Sequence, residues 1–427
     1  MKFWIKTLGC KVNFCESKSI INDLNANGYC QVKKIKNADI IILNTCTVTK
    51  NTDAKVRNFI TKITKGNKIV IIVGCYCQNY FNYLKKRNNL HIILGNNNKN
   101  KIVSSLQCYF KNNRIIRKYT PTNKLTKFES LSPLPKFKFG DNTRTFLKIQ
   151  DGCNQKCHYC VIPYVRGKSR SKNHHLILEE IKQLATLGYK EIVLTGINLT
   201  SYNDRQHNLY DLLLKIDKIP GKFRIRISSL EPIPMVYKIV NLFANNQNRW
   251  CRQLHLCLQS ASNHVLKTMN RPYTIEQYFD LVKYARKKIK NIAITTDYIV
   301  GFPSETQDDF KQAINNLKKI KFANINVFCY SRRKKTWANR KYKKDLPYEI
   351  VAKRWKIINQ IKLKCCLAYK KKLIGQKLEV IVQKNKNNVY YGYSSEYVKV
   401  LIKEKKNCRR NKLVDVVYQK HNLDEKI

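Results

Sequence analysis

The chain has 427 residues, a length that exceeds one ordinary hydrophobic core and predicts two or three domains. It carries 83 Lys and Arg against 28 Asp and Glu, and the net charge of +55 fits either salt-dependent attraction to a polyanion such as nucleic acid or a compositional drift toward Lys, Asn and Ile. The lysine-rich N-terminus and apolar runs far shorter than the roughly 20 residues of a membrane span argue against a secretory signal and a transmembrane helix, so we expect a cytoplasmic protein whose 16 cysteines are reduced.

Near the N-terminus, short β-rich runs each end just before a cysteine. The runs are residues 2–6, 39–43 and 68–73, and the cysteines that follow them are Cys10, Cys46 and Cys75. Apolar residues at helical spacing in residues 16–25 and 54–65 predict intervening helices, and hence a parallel-sheet α/β domain. Because the carboxyl ends of parallel strands share one edge, we expect the three cysteines to meet there and hold a metal cluster, unless they are buried as small apolar side chains.

A barrel is predicted further along the chain. Residues 96–142, rich in Asn, Lys, Pro and Thr, lose the pattern and are interpreted as a linker or domain edge. Strand and helix signals then alternate to about residue 364. The expected strands are residues 145–149, 191–195, 224–228, 253–258, 293–300 and 324–330, and the clearest helices are residues 176–187 and 275–288. Six βα units predict an incomplete barrel with reactive groups at the C-terminal ends of its strands.

The last segment returns to short alternating strands. They are expected at residues 377–383, 389–393, 398–402 and 412–418, a pattern typical of a small β-barrel. Four tyrosines lie among lysines there, which suits either stacking on nucleic-acid bases or filling a small core: Tyr390, Tyr391, Tyr393 and Tyr397.

The most specific motif is the CxxxCxxC run of Cys153, Cys157 and Cys160. Three thiolates on one loop are typical of a 4Fe-4S cluster whose fourth iron has no protein ligand and is open to a small molecule. The alternative is a zinc knuckle, which needs a fourth ligand and usually a second CxxC pair nearby. The other ten cysteines show no ligand-like spacing and are expected in the apolar interior: Cys15, Cys30, Cys77, Cys108, Cys251, Cys257, Cys329, Cys365, Cys366 and Cys408.

Together these residues resemble a known family. The Cys153 loop, with an aromatic residue before its last cysteine, is similar to the radical S-adenosylmethionine signature, and the order of the three segments resembles the MiaB/MtaB-type tRNA methylthiotransferases. The shared motifs are residues 7–13 (TLGCKVN), 44–46 (NTC), 74–75 (GC) and 161–170 (VIPYVRGKSR). Residues 7–13, 194–198 (LTGIN) and 295–303 (TTDYIVGFP) most resemble the branch that modifies N6-threonylcarbamoyladenosine.

The resemblance implies an α/β multidomain architecture. Residues 1–110 would form an N-terminal methylthiotransferase domain that holds an auxiliary cluster, and residues 111–142 a linker. Residues 143–368 would form a radical S-adenosylmethionine domain with a partial (β/α)6 barrel, and residues 369–427 a TRAM-like β-barrel.

The resemblance also implies the chemistry. One 4Fe-4S cluster would sit on Cys153, Cys157 and Cys160 and bind S-adenosylmethionine, and a second would sit on Cys10, Cys46 and Cys75. With an electron from a donor such as flavodoxin or ferredoxin, S-adenosylmethionine would be cleaved to a 5′-deoxyadenosyl radical. That radical would abstract hydrogen from C2 of the adenosine at position 37 of tRNA, and the auxiliary cluster would supply methylated sulfur to give 2-methylthio-N6-threonylcarbamoyladenosine.

Further contacts are expected from position, each of which also fits an ordinary strand-end or turn residue. Those expected to bind the cofactor are Tyr159, Gly196, Asn198, Glu231, Gln259, Ser260 and Gly301. Those expected to meet the tRNA substrate are Arg271, Tyr391 and Tyr393. The sequence does not indicate an oligomeric state.

The chain departs from the family pattern at three places. Ala261 replaces a usual glycine, Cys257 replaces a proline, and residues 329–337 (CYSRRKKTW) replace a Pro-Tyr-Ser-Pro-Arg-x-Gly-Thr-Pro run. These changes leave the cysteines intact but predict altered loop geometry on the substrate side. Two other functions stay open: the same chemistry on isopentenyladenosine, and a non-catalytic RNA-binding protein whose cysteines are structural.

Overall fold

The structure, a computed structural model, describes residues 1–129, 143–384, 390–402 and 410–423. Its internal contacts divide the chain into two compact units. The first comprises Met1–Phe137, Lys148–Lys172 and Ser331–Asn339, and the second comprises Lys138–Leu147, Asn173–Tyr330 and Arg340–Ile427. Within the described residues, no helix combines the length and the apolar character needed to span a membrane.

The first unit contains a six-stranded parallel sheet with the order β2-β1-β3-β4-β5-β6. Its strands are β1 (Lys2–Thr7), β2 (Cys30–Gln31), β3 (Ile40–Thr45), β4 (Ile69–Gly74), β5 (Ile92–Leu94) and β6 (Ile116–Lys118). The helices around it are α1 (Lys11–Ala26), α2 (Lys50–Ile63), α3 (Cys75–Asn79), α4 (Phe81–Leu84) and α5 (Ile102–Asn112).

The central strands β3 and β4 are apolar on both faces, as a parallel strand covered by helices on each side must be. On one face, Ile41 packs in a core that includes Val56 and Ile60 of α2. On the other face, Ile42 shares a core with Leu24 of α1. The predicted parallel α/β architecture is confirmed.

Two elements lie where the sequence pattern was lost. Helix α5 and strand β6 both fall within residues 96–118, and β6 pairs with β5, so the sheet extends further than the pattern indicated. Helix α5 buries only three side chains, Ile102, Ser105 and Leu106, and a three-residue strand is too short to show alternation. Residues 130–142 of that stretch lie outside the described residues, and the predicted domain boundaries stay predictions.

Short elements carry the chain into the barrel: β7 (Arg144–Lys148), β8 (Gln150–Asp151), α6 (Ile162–Arg166) and β9 (Arg170–Ser171). The elements that follow are α7 (His174–Thr186), β10 (Glu191–Thr195), β11 (Asn203–Asp204), β12 (His207–Asn208), α8 (Leu209–Asp217), β13 (Arg224–Ile227), β14 (Ser229–Leu230), α9 (Met235–Asn245), β15 (Gln253–Leu256), α10 (Asn263–Thr268), α11 (Ile275–Lys288), β16 (Ala293–Val300), α12 (Gln307–Ile320), β17 (Asn324–Cys329), α13 (Trp337–Lys341) and α14 (Tyr348–Leu373).

The barrel strands form two sheets with the orders β13-β10-β7 and β14-β15-β16-β17. Strand β10 pairs in parallel with β13, and β14 to β17 pair in parallel in series, which confirms the predicted partial barrel. Strands β10 and β16 and helix α11 have the predicted bounds. Capping boxes fix the starts of three helices, with Asn208 at α8, Thr274 at α11 and Thr306 at α12.

The C-terminal segment forms an antiparallel sheet with the order β20-β19-β18-β21. Its strands are β18 (Lys377–Lys384), β19 (Tyr390–Ser394), β20 (Lys399–Ile402) and β21 (Leu413–Val417). Alternate residues Val380 and Val382 of β18 pack with Val400 and Tyr418 in a small core. The predicted small β-domain is confirmed over its described residues.

Most of the ten cysteines expected in the interior are buried or half-buried: Cys15, Cys77, Cys251 and Cys257 are buried, and Cys108, Cys365 and Cys366 are half-buried. The prediction is wrong for Cys30 and Cys329, which are exposed. Both residues lie on edge strands, Cys30 on β2 and Cys329 at the end of β17. Cys408 lies outside the described residues.

Candidate metal centre and cofactor site

Cys10, Cys46 and Cys75 lie just after three neighbouring strands of the first sheet. Cys10 is the N-cap of α1, Cys46 follows β3, and Cys75 begins α3 after β4. Because β3 pairs in parallel with both β1 and β4, the three loops emerge side by side. Gly9 has a φ of 122°, and a Cβ there would lie 2.8 Å from the Cβ of Cys46, so glycine is needed where the first two loops meet.

The thiol of Cys75 is close enough to Cys10 and Cys46 to oppose their ionisation. Desolvation raises the pKa of Cys46 to about 12, and charge repulsion from Cys75 and Cys10 adds to the shift. Desolvation also raises the pKa of Cys10, even though the residue is exposed, while Arg166 opposes the shift. Three adjacent sulfur donors on one edge of a sheet fit an iron–sulfur cluster, and bound metal cations would favour the thiolate form that burial disfavours at Cys10 and Cys46.

The second cysteine group lies on the loop after β8. The backbone N–H of Cys153 donates to the Gly167 carbonyl at 3.0 Å, and the N–H of Cys160 donates to the Cys157 carbonyl at 3.0 Å. The backbone N–H of Gln155 donates to the Cys153 sulfur at 3.4 Å, a contact that favours a thiolate. All three cysteines are half-buried, so the loop combines a hydrogen-bonded backbone with sulfurs that a small molecule can reach.

Helix α6 follows this loop directly and brings it beside the first cysteine group. Val161 and Val165 pack against Cys75 in one buried cluster. The Asn96 side-chain NH₂ donates to the Cys75 sulfur at 3.4 Å and to the Val165 carbonyl at 2.7 Å. The structure therefore brings the two predicted cysteine groups onto adjoining elements of one unit.

Arg166 ends α6 and connects the two groups through charge. Its Nη2 donates to Oδ1 of Asn13 at 2.8 Å, and its Nη1 donates to Glu16 at 3.0 Å and Asp151 at 2.9 Å. Asn13 and Glu16 lie on the helix that Cys10 begins, whereas Asp151 lies two residues before Cys153. Burial alone would lower the pKa of Arg166, but the nearby charges of Asp151, Cys75, Glu16 and Cys10 raise it well above the ordinary value.

Sequence reasoning missed this buried network. Lys99 and Lys148 also form ion pairs with Glu16. Burial alone would raise the pKa of Glu16, but the three cations hold it well below its usual range. The only available signal was Arg166 within the 161–170 motif, since Glu16 reads as an ordinary exposed charge on a helix.

Tyr159 is half-buried on the Cys153 loop. The other residues expected to bind the cofactor lie in the second unit, just after strand ends: Gly196 and Asn198 after β10, Glu231 after β14, Gln259 and Ser260 after β15, and Gly301 after β16. Asn198 accepts a hydrogen bond from Thr200 at 2.6 Å, and Gln259 adopts a φ of 66°. A Cβ on Gly301 would lie 2.7 Å from Val351, so helix packing already requires this glycine. Binding by these residues stays a prediction.

Arg271, expected to bind the substrate, contacts Glu231, which is expected to bind the cofactor. It is buried and ion-paired with Glu231, and its Nε donates to the Tyr273 hydroxyl at 2.9 Å. Burial raises the pKa of Glu231 although Arg271 opposes the shift. Arg271 is therefore a buried, ion-paired side chain and not an exposed turn residue.

His255, Cys257 and Asp297 form a polar cluster that the sequence did not suggest. Their ligand atoms all lie within 4.8 Å of one another. Asn326 donates to Asp297 at 2.9 Å.

Cys257 stands where the family usually has proline. The backbone N–H of Cys257 donates to the Leu230 carbonyl at 3.0 Å, a bond that proline cannot make.

The two tyrosines expected to meet tRNA lie on β19. The ring of Tyr393 stacks on Tyr397, and Arg144 lies over it at 4.4 Å. Lys399 lies over the Tyr391 ring at 5.0 Å. Both rings therefore already contact cationic side chains, and their role toward RNA stays a prediction.

Comparison with known proteins shows which families and structures the chain is similar to. Residues 147–317 match the radical SAM superfamily, and residues 2–95 match the uncharacterized protein family UPF0004. The fold is similar to a radical S-adenosylmethionine methyltransferase, TsrM, from Kitasatospora setae, with a TM-score of 0.56 and 14% identity over 77% of this chain and 72% of that one. These matches and the CxxxCxxC loop define a radical S-adenosylmethionine enzyme.

Two curated groups of relatives narrow the class. The chain is 34% identical to the threonylcarbamoyladenosine tRNA methylthiotransferase MtaB of Bacillus subtilis over 93% of this chain and 89% of the relative. It is also 34% identical to the same enzyme of Aquifex aeolicus over 90% and 93%. It is 33% identical to a tRNA-2-methylthio-N(6)-dimethylallyladenosine synthase of Clostridium botulinum over 99% and 93%. The chain belongs to the MiaB/MtaB family of radical S-adenosylmethionine tRNA methylthiotransferases.

Proposed function

We propose that the enzyme methylthiolates C2 of N6-threonylcarbamoyladenosine at position 37 of tRNA, beside the anticodon. The observation that carries the proposal is the gathering of Cys10, Cys46 and Cys75 beside helix α6, which directly follows the Cys153 loop. The choice of adenosine is supported by the motifs in residues 7–13, 194–198 and 295–303 and by the similarity to the MtaB enzymes.

The family implies one 4Fe-4S cluster and S-adenosylmethionine, and Cys153, Cys157 and Cys160 are the residues we propose for that cluster. A second cluster on Cys10, Cys46 and Cys75 is part of the proposal. When bound, these groups supply reductive cleavage of S-adenosylmethionine and the sulfur to be transferred.

The chain's own residues would hold and shield these groups. The N–H donors of Gln155 and Asn96 stabilise negative charge on the sulfurs of Cys153 and Cys75. Val161 and Val165 keep water from one side of Cys75. The fixed positive charge of Arg166 would offset the negative charge of thiolates at Cys10 and Cys75 without needing to move.

The remaining parts of the proposal concern organisation and partners. Residues 1–110, 111–142, 143–368 and 369–427 are proposed as auxiliary-cluster domain, linker, radical domain and TRAM-like domain. A flavodoxin or ferredoxin is proposed as the electron donor, tRNA as the macromolecular substrate and the cytoplasm as the location.

Methylthiolation of N6-isopentenyladenosine is the second candidate, because the dimethylallyladenosine synthases match the chain at 33–34% identity. A purely RNA-binding function is no longer an alternative, since the chain belongs to an enzyme family.

Nucleoside analysis separates the two substrates. The gene would be expressed in a bacterial host that lacks its own tRNA methylthiotransferases, and the tRNA nucleosides would be separated by mass spectrometry. We expect 2-methylthio-N6-threonylcarbamoyladenosine to appear while N6-isopentenyladenosine stays unmodified. Modification of isopentenyladenosine alone would overturn the substrate assignment.

Iron analysis tests the second cluster. Anaerobically reconstituted protein should contain about eight iron atoms per chain, and Cys46→Ala should lower this to about four because one site loses a ligand. Cys108→Ala, a half-buried cysteine on α5, is the matched control and should keep all the iron. An unchanged iron content in Cys46→Ala would remove the auxiliary cluster from the proposal.

A further inference from the structure

A short segment that follows the last barrel strand belongs to the first unit, with the cysteines. This segment, Ser331–Asn339, is here named the bridging segment. It includes residues 331–337 of the run in which the chain departs from its family, although Ser331, Arg333 and Thr336 match the family residues at their positions.

One end of the bridging segment contacts the loop that carries Cys46. Nη2 of Arg333 donates to Thr47 Oγ1 at 2.8 Å and to Asp53 Oδ2 at 2.7 Å, and both charged side chains are only 3% exposed. Thr47 directly follows Cys46 and donates to the same carboxylate at 2.6 Å. The hydroxyl of Ser331 accepts the backbone N–H of Lys50 at 2.8 Å.

The other end contacts the loop that carries Cys153, Cys157 and Cys160. The Trp337 indole stacks on the His158 imidazole with ring centroids 3.8 Å apart and planes 19° from parallel. The backbone N–H of Ala338 donates to the His158 carbonyl at 2.8 Å. His158 directly follows Cys157, so this contact bears on the position of a predicted ligand.

The turn between the two ends is held internally. The Thr336 hydroxyl donates to the Arg333 carbonyl at 2.8 Å and accepts the Asn339 N–H at 3.3 Å. Lys335 adopts a φ of 75°, the left-handed conformation of a tight turn. Only three residues separate Arg333 from Trp337, so a displacement of one end is transmitted to the other.

We propose that the bridging segment fixes the separation of the Cys46 loop and the Cys153 loop, with Arg333 and Trp337 as positioning residues. The proposal rests on the proposed function, because the separation matters only if both loops carry clusters that act on one base. Reacting groups must be held to within a fraction of an ångström, and an error of about 1 Å costs on the order of 100-fold in rate. Losing either contact would therefore uncouple radical formation from sulfur insertion while leaving both clusters bound.

The test measures methylthiolated nucleoside formed per 5′-deoxyadenosine released, with the reconstituted enzyme. For Arg333→Met and Trp337→Leu we expect this ratio to fall about tenfold, while iron content and 5′-deoxyadenosine release stay within about twofold of the parent. Arg333→Lys keeps the charge and should recover part of the ratio. The matched control is Lys334→Ala, an exposed neighbour in the same turn, which should match the parent.

Hydrogen exchange of the same proteins provides a readout that does not depend on turnover. Arg333→Met should speed exchange in residues 153–160, and Trp337→Leu should speed exchange in residues 46–53. The proposal would be overturned if both variants kept the parent ratio of methylthiolated nucleoside to 5′-deoxyadenosine, and if Arg333→Met changed exchange only in the Cys46 loop and Trp337→Leu only in the Cys153 loop. If the parent enzyme made no methylthiolated nucleoside, the proposed function would fail, while the exchange data would still decide whether the segment couples the loops. If Arg333→Met did not fold, Trp337→Leu, whose side chain is partly exposed, would decide the outcome.

Discussion

Lys335 carries a measurable local strain. Its φ of 75° is unfavourable for a side chain with a Cβ, and the family run has glycine at this position. We expect Lys335→Gly to raise the free energy of unfolding by about 0.5–1 kcal/mol, because relief of strain exceeds the entropy that glycine adds to the unfolded chain. Chemical denaturation measures the change. Lys334→Gly, at a neighbouring turn residue without positive φ, should lower stability instead, and equal effects at both positions would contradict the argument.

Asp309 makes stability depend on pH. Burial alone would raise its pKa, but hydrogen bonds from Ser262, Thr306 and His264 lower it to about 2 from 3.8. The depressed value means that the native state favours the ionised form, so this stabilisation is complete above pH 3.8 and is lost as the pH falls toward 2. Asp309→Asn should therefore cost about 2 kcal/mol at pH 7. The difference from the parent protein should shrink below about pH 4.

Thermal unfolding of the parent and Asp309→Asn between about pH 7 and 3 measures this difference. Asp308→Asn is the control, because the Asp308 side chain is 84% exposed and should change stability little at any pH. A penalty for Asp309→Asn that stayed constant down to pH 3 would show that the lost interaction is not that of the carboxylate.

At the scale of elements, a buried charge cluster attaches the C-terminal sheet to the barrel. Glu191 of β10 pairs with Arg224 and Arg226 of β13. The two guanidinium groups donate onward to backbone carbonyls of β18, β19 and the turn after β19, including those of Tyr393 and Ser394. A backbone carbonyl that is buried needs a hydrogen-bond donor, and the two arginines supply donors to these carbonyls. The arginines therefore link the barrel strand β13 to the C-terminal sheet.

Removal of the shared carboxylate tests this attachment. Glu191→Gln removes the buried counter-charge that Arg224 and Arg226 share, and we expect a loss of about 3–5 kcal/mol together with faster hydrogen exchange in β18 and β19. Glu379→Gln removes the other, 38% exposed, carboxylate that Arg224 contacts and should cost about 1 kcal/mol or less. Equal losses in the two variants would contradict the view that Glu191 organises the cluster.

At the scale of the whole molecule, the charge of +55 predicts how substrate binding responds to salt. A surface that contacts six to ten phosphates loses about 10³-fold or more in affinity between about 50 and 200 mM salt, because bound counterions are released. We expect tRNA affinity to fall by that order, measured by equilibrium binding at several KCl concentrations. A single-stranded DNA of equal length should show a similar slope. A slope near zero for tRNA would mean that the basic charge reflects composition alone.

The sequence determined the elements whose signals are local. Short β-rich runs predicted β3 and β4, and β10, β16 and α11 have the bounds that the sequence predicted. Weak elements escaped this reasoning: β6 is three residues long, and α5 buries only one narrow face. A pattern of period 2 or 3.6 needs more residues than these elements have.

The candidate site divides in the same way. The sequence showed the spacing of Cys153, Cys157 and Cys160 directly. It also predicted that the other three cysteines lie at strand ends, because each follows a β-rich run and parallel strands end at one edge of a sheet. Only the tertiary structure showed Arg166 between the two groups, Glu231 paired with Arg271, and Arg333 against Asp53. These partners lie between 40 and 280 residues apart in the chain. The sequence does not distinguish a charged residue that will be buried and paired from one that stays exposed to water, because burial depends on the tertiary packing.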